Sequence, residues 1–134
     1  AMIAGEDSLE MRHSAFRRRY GLDIVRRLTL MGNGHTLVGQ DRFEASGRAS
    51  HSGEFTIRFH LPPGASIERL EREDLLHVTH RSGERWAFLW EGAEAMTEDS
   101  VRHSAHFGLL RTQQIVLAGP ASAGSEIAWV FTRQ

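Results

Sequence analysis

The stretch FTIRFHLPPG, residues 55–64, decides how this chain folds. Successive side chains of an extended strand point to opposite faces, so Phe55, Ile57, Phe59 and Leu61 gather on one side and Thr56, Arg58 and His60 on the other. The first side is a core face. Pro62 and Pro63 then end the strand, because neither can donate a ladder hydrogen bond. Whether Arg58 and His60 do chemistry, bind a ligand or meet water is the functional question.

The same alternation recurs in both directions from this strand, with turn residues between the runs, which is the pattern of antiparallel strands. RRLTLMGNGHTLVGQDRF reads as a hairpin: Leu28 and Leu30 share a face, Gly32, Asn33 and Gly34 supply a positive-φ turn, and Leu37 begins the return. LLHVTHRSGERWAFLWEG reads as a second, with Ser82 and Gly83 near its tip, Leu76 and Val78 on one strand and a Trp86, Phe88, Trp90 stripe on the other. EAMTEDSVRHS, GLLRTQQIVLAG and EIAWVFTRQ supply three more strands, the last placing Ile127, Trp129 and Phe131 on a core face. Residues 44–54 are small and polar and read as a loop within one domain. SAFRRRYGLDIVRR carries Phe16, Tyr20 and Ile24 at a spacing of four, which suits a short helix, but Gly21 weakens it, and strand with loop is the preferred reading. About eight to ten strands and no long helix predict an all-β fold, a two-layer antiparallel β-sandwich occupying residues 1–134 as a single domain.

Composition narrows the function classes. At 134 residues the chain suits one domain with a real core. Its formal net charge of -1 provides no global basic field for nucleic acid or an anionic membrane, so neither is expected as a partner. All 16 basic residues are Arg, which we read as genome composition, since clustering marks a binding face and count does not. The lack of Cys excludes disulfides, thiolate metal sites and Cys nucleophiles. No apolar run approaches the ~20 residues of a membrane-spanning helix, and the first residues lack a signal-peptide pattern. Ala1 before Met2 suggests a piece cut from a longer protein; whether Met2 is a native start is left open.

With the strands placed, four segments together resemble the C-terminal β-domain of the heparinase II/III-like polysaccharide lyases. They are RRRYGLDIVRRLTLMGNGHTLVGQDRF at 17–43, FTIRFHLPPG, SGERWAFLWEG at 82–92 and RTQQIVLAG at 111–119, in the family's order and with similar gaps. The resemblance implies a multidomain parent in which an N-terminal (α/α) toroid precedes β-sheet domains and cleaves acidic polysaccharides, such as heparin, heparan sulfate or alginate, by β-elimination. That reaction needs a base for the C5 proton of a uronic acid, an acid for the leaving oxygen and a group that neutralises the carboxylate. The toroid supplies most of these in the family, so the resemblance assigns no catalytic residue here and makes this chain an accessory domain contacting the toroid and the polysaccharide. It also raises a homodimer through the interface exposed by excision, and a periplasmic location.

Some relatives hold a structural zinc through a His-x-His segment, an Asp and a later His in a His-Asp-Gly-Tyr-like stretch. His13 stands where that later His would be, but Ser14, Ala15 and Phe16 replace the Asp, Gly and Tyr, and the upstream ligands lie outside the chain. A four-ligand site is not completed from His13, so no cofactor is expected for this polypeptide, and zinc only for the full-length parent.

The candidate residues follow. Arg58, His60, Arg111 and Gln113 are substrate-groove candidates, because the planar fork of Arg matches a carboxylate or sulfate. One face of an antiparallel sheet is commonly solvated, which is the plainer reading of the same residues. Trp86 and Trp90 are sugar-stacking candidates under the alternative of an independent carbohydrate-binding module for acidic polysaccharides, although a three-aromatic stripe with Phe88 reads first as core. His77 and His80, three apart on a strand, face opposite ways. His103 and His106 bracket a turn and carry the third reading, a small metal-dependent enzyme. Glu68, Glu71, Glu73 and Asp74 read as a solvated edge.

Overall fold

The structure is a computed structural model that describes residues 2–3, 6–14, 21–32, 34–45, 53–69, 75–106 and 108–134. Among these there are strands and turns and no helix. The strands are β1 (Met2–Ile3), β2 (Glu6–His13), β3 (Leu22–Met31), β4 (Thr36–Ala45), β5 (Gly53–His60), β6 (Ser66–Arg69), β7 (Leu75–Thr79), β8 (Arg85–Glu91), β9 (Glu94–Ser104), β10 (Gly108–Ala121) and β11 (Glu126–Arg133). They form a large sheet of order β1-β2-β3-β4-β11-β8-β7-β6 and a three-stranded sheet of order β5-β10-β9, with every pairing antiparallel. The predicted all-β, two-layer antiparallel sandwich is the observed architecture.

Period-two patterning explains which faces meet. From the small sheet, Phe55, Ile57 and Phe59 of β5 and Ile115 and Leu117 of β10 point inward. From the large sheet come Phe43, Leu76, Val78, Phe88, Ile127 and Trp129. Phe59 is the hub: its ring lies 4.8 Å from Trp129, 5.3 Å from Phe88 and 5.7 Å from Phe131. Tilted and edge-on aromatic contacts of this kind add to the area they bury. Both predicted hairpins form, with turns after Met31 and after Thr79, and Gly32 and Gly34 take the positive φ that the first requires. Leu76 and Val78 face Phe88 and Trp86 in register.

The sequence reading departs from the structure at strand ends and at polar strands. β4 runs on to Ala45 and β5 starts at Gly53, so the stretch read as a loop at 44–54 is strand at both ends, and its middle, 46–52, lies outside the described residues. Strand rather than helix covers 22–27, as preferred; Phe16 and Tyr20 lie outside the described residues. β2 and β6 were not anticipated, because EDSLEMRH and SIER carry few apolar residues.

Candidate binding site

The two sheets differ in width, and the site arises from the difference. β5, an edge of the small sheet, packs over β4 and β11, shown by Phe55 against Phe43 at 5.5 Å and Phe59 against Trp129. The inner face of β3 therefore projects past β5, and a trough of about 630 Å³ opens there. Its floor is the alternate residues Ile24, Arg26 and Leu28 of β3, with Leu37 and Asp41 of β4. Its wall is β5, whose residues 53–59 line it consecutively. A strand lines a cavity with consecutive residues only when it presents an edge, because a face would contribute every second one.

A buried polar group anchors the floor. Asp41 is 1% exposed and accepts hydrogen bonds from Arg26, with Nε at 2.7 Å and Nη2 at 3.2 Å, and from the Trp129 indole N–H at 3.3 Å. A carboxylate removed from water is tolerated when a fork-shaped cation and further donors satisfy it. Gly39 makes the arrangement fit: a Cβ there would overlap the Trp129 ring, so the missing side chain lets the indole lie across β4 and reach Asp41. Sequence reasoning did not single out Arg26, Asp41 or Gly39. The available signal was parity, since Arg26 falls between Ile24 and Leu28, and Asp41 between Leu37 and Phe43, on faces otherwise apolar.

Arg58 sits on the outer face of the small sheet. It donates to Glu98 Oε2 on β9 at 2.8 Å, and Gln114 Nε2 of the intervening β10 donates to the same oxygen at 2.9 Å. The link thus bridges both edge strands across the central one, beside Val116, which is 2% exposed. The hydrogen bond from Arg58, then that from Gln114, holds the Glu98 carboxyl below the usual carboxylate range. Gln114 Oε1 is buried with no hydrogen-bond partner among the described residues. His60 is exposed on the same face, opposite Gln114 in register.

The four groove candidates are divided. Gln113 has the opposite parity, and its Oε1 accepts the Ile67 N–H at 2.9 Å, tying β10 to the start of β6. Arg111 is exposed on the part of β10 that pairs with β9 alone. The structure brings Arg58 and His60 to one face and leaves Arg111 and Gln113 away from it. Trp86 and Trp90 are half-buried on the inner face. Trp90 stacks on Phe88 at 5.9 Å and takes the Arg69 guanidinium 5.4 Å from its ring, while Trp86 donates to Glu84 at 2.8 Å.

His13 ends β2 opposite Ile24, His77 and His80 lie on and just after β7, and His103 and His106 flank the β9–β10 turn. Among the described residues no group of three or more His, Cys, Asp or Glu could hold a metal ion. Of the acidic cluster, Glu68 is exposed on β6; Glu71, Glu73 and Asp74 lie outside the described residues.

Comparison with known proteins agrees with this architecture. The family model described as "Heparinase II/III-like, C-terminal" matches residues 2–130. The solved structure of a heparinase III superposes with a TM-score of 0.71 at 11% identity, covering 97% of this chain and 20% of that one, a likeness of fold. A GH36 α-galactosidase from Geobacillus stearothermophilus aligns over 97% of this chain and 24% of its own, at 17% identity and a TM-score of 0.42, too low to carry an argument. The comparison with curated protein sequences gave no match. The chain thus spans about a fifth of the heparinase III it matches.

Proposed function

Because the chain belongs to the heparinase II/III-like, C-terminal family, we propose that it is the accessory β-sandwich of a longer polysaccharide lyase, framing the substrate groove while the preceding toroid domain performs the proton transfers. The observation that carries this reading is the family match over nearly the whole chain. Supporting it, Arg58 stands exposed on the outer face of the small sheet with its guanidinium tethered by Glu98. An exposed guanidinium held by one partner keeps further N–H donors for a uronate carboxylate or a sulfate. Zinc, where the longer protein carries it, would draw its upstream ligands from outside this chain, with His13 the one candidate here.

The reaction removes the C5 proton of a uronic acid and expels the 4-linked oxygen, leaving an unsaturated uronate. An Arg at the groove wall contributes binding that is equal in ground and transition states, so its loss raises KM and leaves kcat. In the full-length protein acting on heparan sulfate or alginate, Arg58→Ala is expected to raise KM ~3–10-fold with kcat within about twofold, in keeping with a partly exposed charge contact. A collapse of kcat at unchanged KM would place Arg58 in the chemistry and overturn the accessory role.

A further inference from the structure

We propose that the trough is an acceptor site for one additional β-strand, an extended segment supplied by the rest of the longer polypeptide; this rests on the reading of the chain as one domain of a larger protein. The first ground is the open edge. Leu61 N–H donates to Gln113 O, and strand backbone groups alternate sides, so Phe55, Ile57 and Phe59 turn theirs to β10. Thr56 and Arg58 therefore present N–H and C=O groups to the trough, where β5 pairs with no other strand among the described residues. The second ground is the floor. Beyond the half-buried Ile24 and Leu28, the inner side of β2 continues it with Leu9 at 57% and Met11 at 43% exposed, and Leu30 of β3 is 42% exposed. An unpaired edge above a sheet face that is apolar apart from the Arg26–Asp41 pair is the geometry of strand addition: main-chain hydrogen bonds give affinity, and alternate side chains pack beneath. The occupant continues the β5-β10-β9 sheet, with every second side chain apolar.

A second copy of this chain does not fit. Antiparallel β5-to-β5 pairing about a two-fold axis normal to the sheet would drive the two large sheets into one another, since each projects past its β5 in the same layer. The flipped, parallel pairing would lay Thr56 and Arg58 of the other copy on the apolar floor. A free-standing segment with no covering sheet of its own meets neither obstacle.

The test uses the chain as it stands and a blocked synthetic hexapeptide, Glu-Phe-Thr-Ile-Arg-Phe, together with two analogues N-methylated at alternate residues. A strand offers its amides alternately to its two edges, so one analogue loses the donors facing β5 and the other loses those facing away. The unmodified peptide and one analogue are expected to bind and to slow exchange of the Thr56 and Arg58 amides about tenfold, leaving that of Ile57 unchanged. The other analogue should not bind. Thr56→Pro, which removes an edge donor outside the β5–β10 ladder, should abolish binding at a near-native melting temperature. Three results would overturn the proposal: no binding by any peptide, equal binding by both analogues, or slow Thr56 and Arg58 exchange in the chain alone, whether monomeric or self-associated. A negative outcome here leaves the accessory-domain reading to the kinetic test, which probes the Arg58 side chain on the outer face and leaves its edge amide in place.

Discussion

At the scale of single residues, Asp41 and Gly39 hold the floor of the trough. Asp41→Ala strands the Trp129 indole N–H and frees Arg26, and we expect a loss of about 2–4 kcal/mol by urea denaturation, below that of a fully buried pair because Arg26 reaches solvent. Gly39→Ala should cost about 1–3 kcal/mol, since the added methyl overlaps the Trp129 ring and the indole must shift away from Asp41. Glu98 gives a pH prediction. Its carboxyl titrates low because Arg58 and Gln114 favour the charged form, so its contribution to stability is complete above the ordinary glutamate range and disappears as pH falls through the lowered value. Following Glu98 by NMR in Arg58→Ala should show the titration moving up toward that range; an unmoved titration would mean the pair seen here does not persist in solution. Glu44, drawn down by Arg42 and then Arg12, all three in the large sheet, follows the same sign.

At the scale of elements, β10 divides the small sheet into two regimes. From Gln114 to Ala118 it pairs on both sides and from Gly119 to Ala121 with β5, whereas from Gly108 to Thr112 it pairs with β9 alone, as a two-stranded ribbon carrying exposed Val101 and Leu109. Two-stranded ribbons have little stability of their own. Amides of Ile115 and Leu117 should therefore exchange only through global unfolding, and those of Leu109 and Arg111 orders of magnitude faster; uniform protection along β10 would contradict this division. The elements also show how far patterning can be read. β5, β7, β8 and β11 were legible because each must bury one face, and the burial imposes strict alternation. β2 was not, because its inner face projects beyond the small sheet and carries only Leu9 and Met11 among charged neighbours. The floor of the trough was hidden for a related reason: a charged residue at core parity cannot be told from a misplaced strand until its partner across the ladder is known, and Arg26 opposite Asp41 is a pairing that only register reveals.

At the scale of the whole molecule, the sandwich is asymmetric, eight strands against three among the described residues, and this asymmetry generates both the trough and the exposed edge of β5. The fold was legible in the sequence because it rests on period-two hydrophobicity, which is local. The division of the groove candidates was not, because which side of β10 faces the core depends on how that strand pairs with β5, a contact distant in the chain. The role proposed for this domain is to shape and support a lyase whose proton-transfer groups lie elsewhere in a longer protein. Its most direct test is the absorbance of unsaturated uronate when the isolated chain is incubated with heparin, heparan sulfate and alginate. The account predicts no increase over the substrate blank, and turnover by the isolated chain at an enzyme-like rate would contradict it.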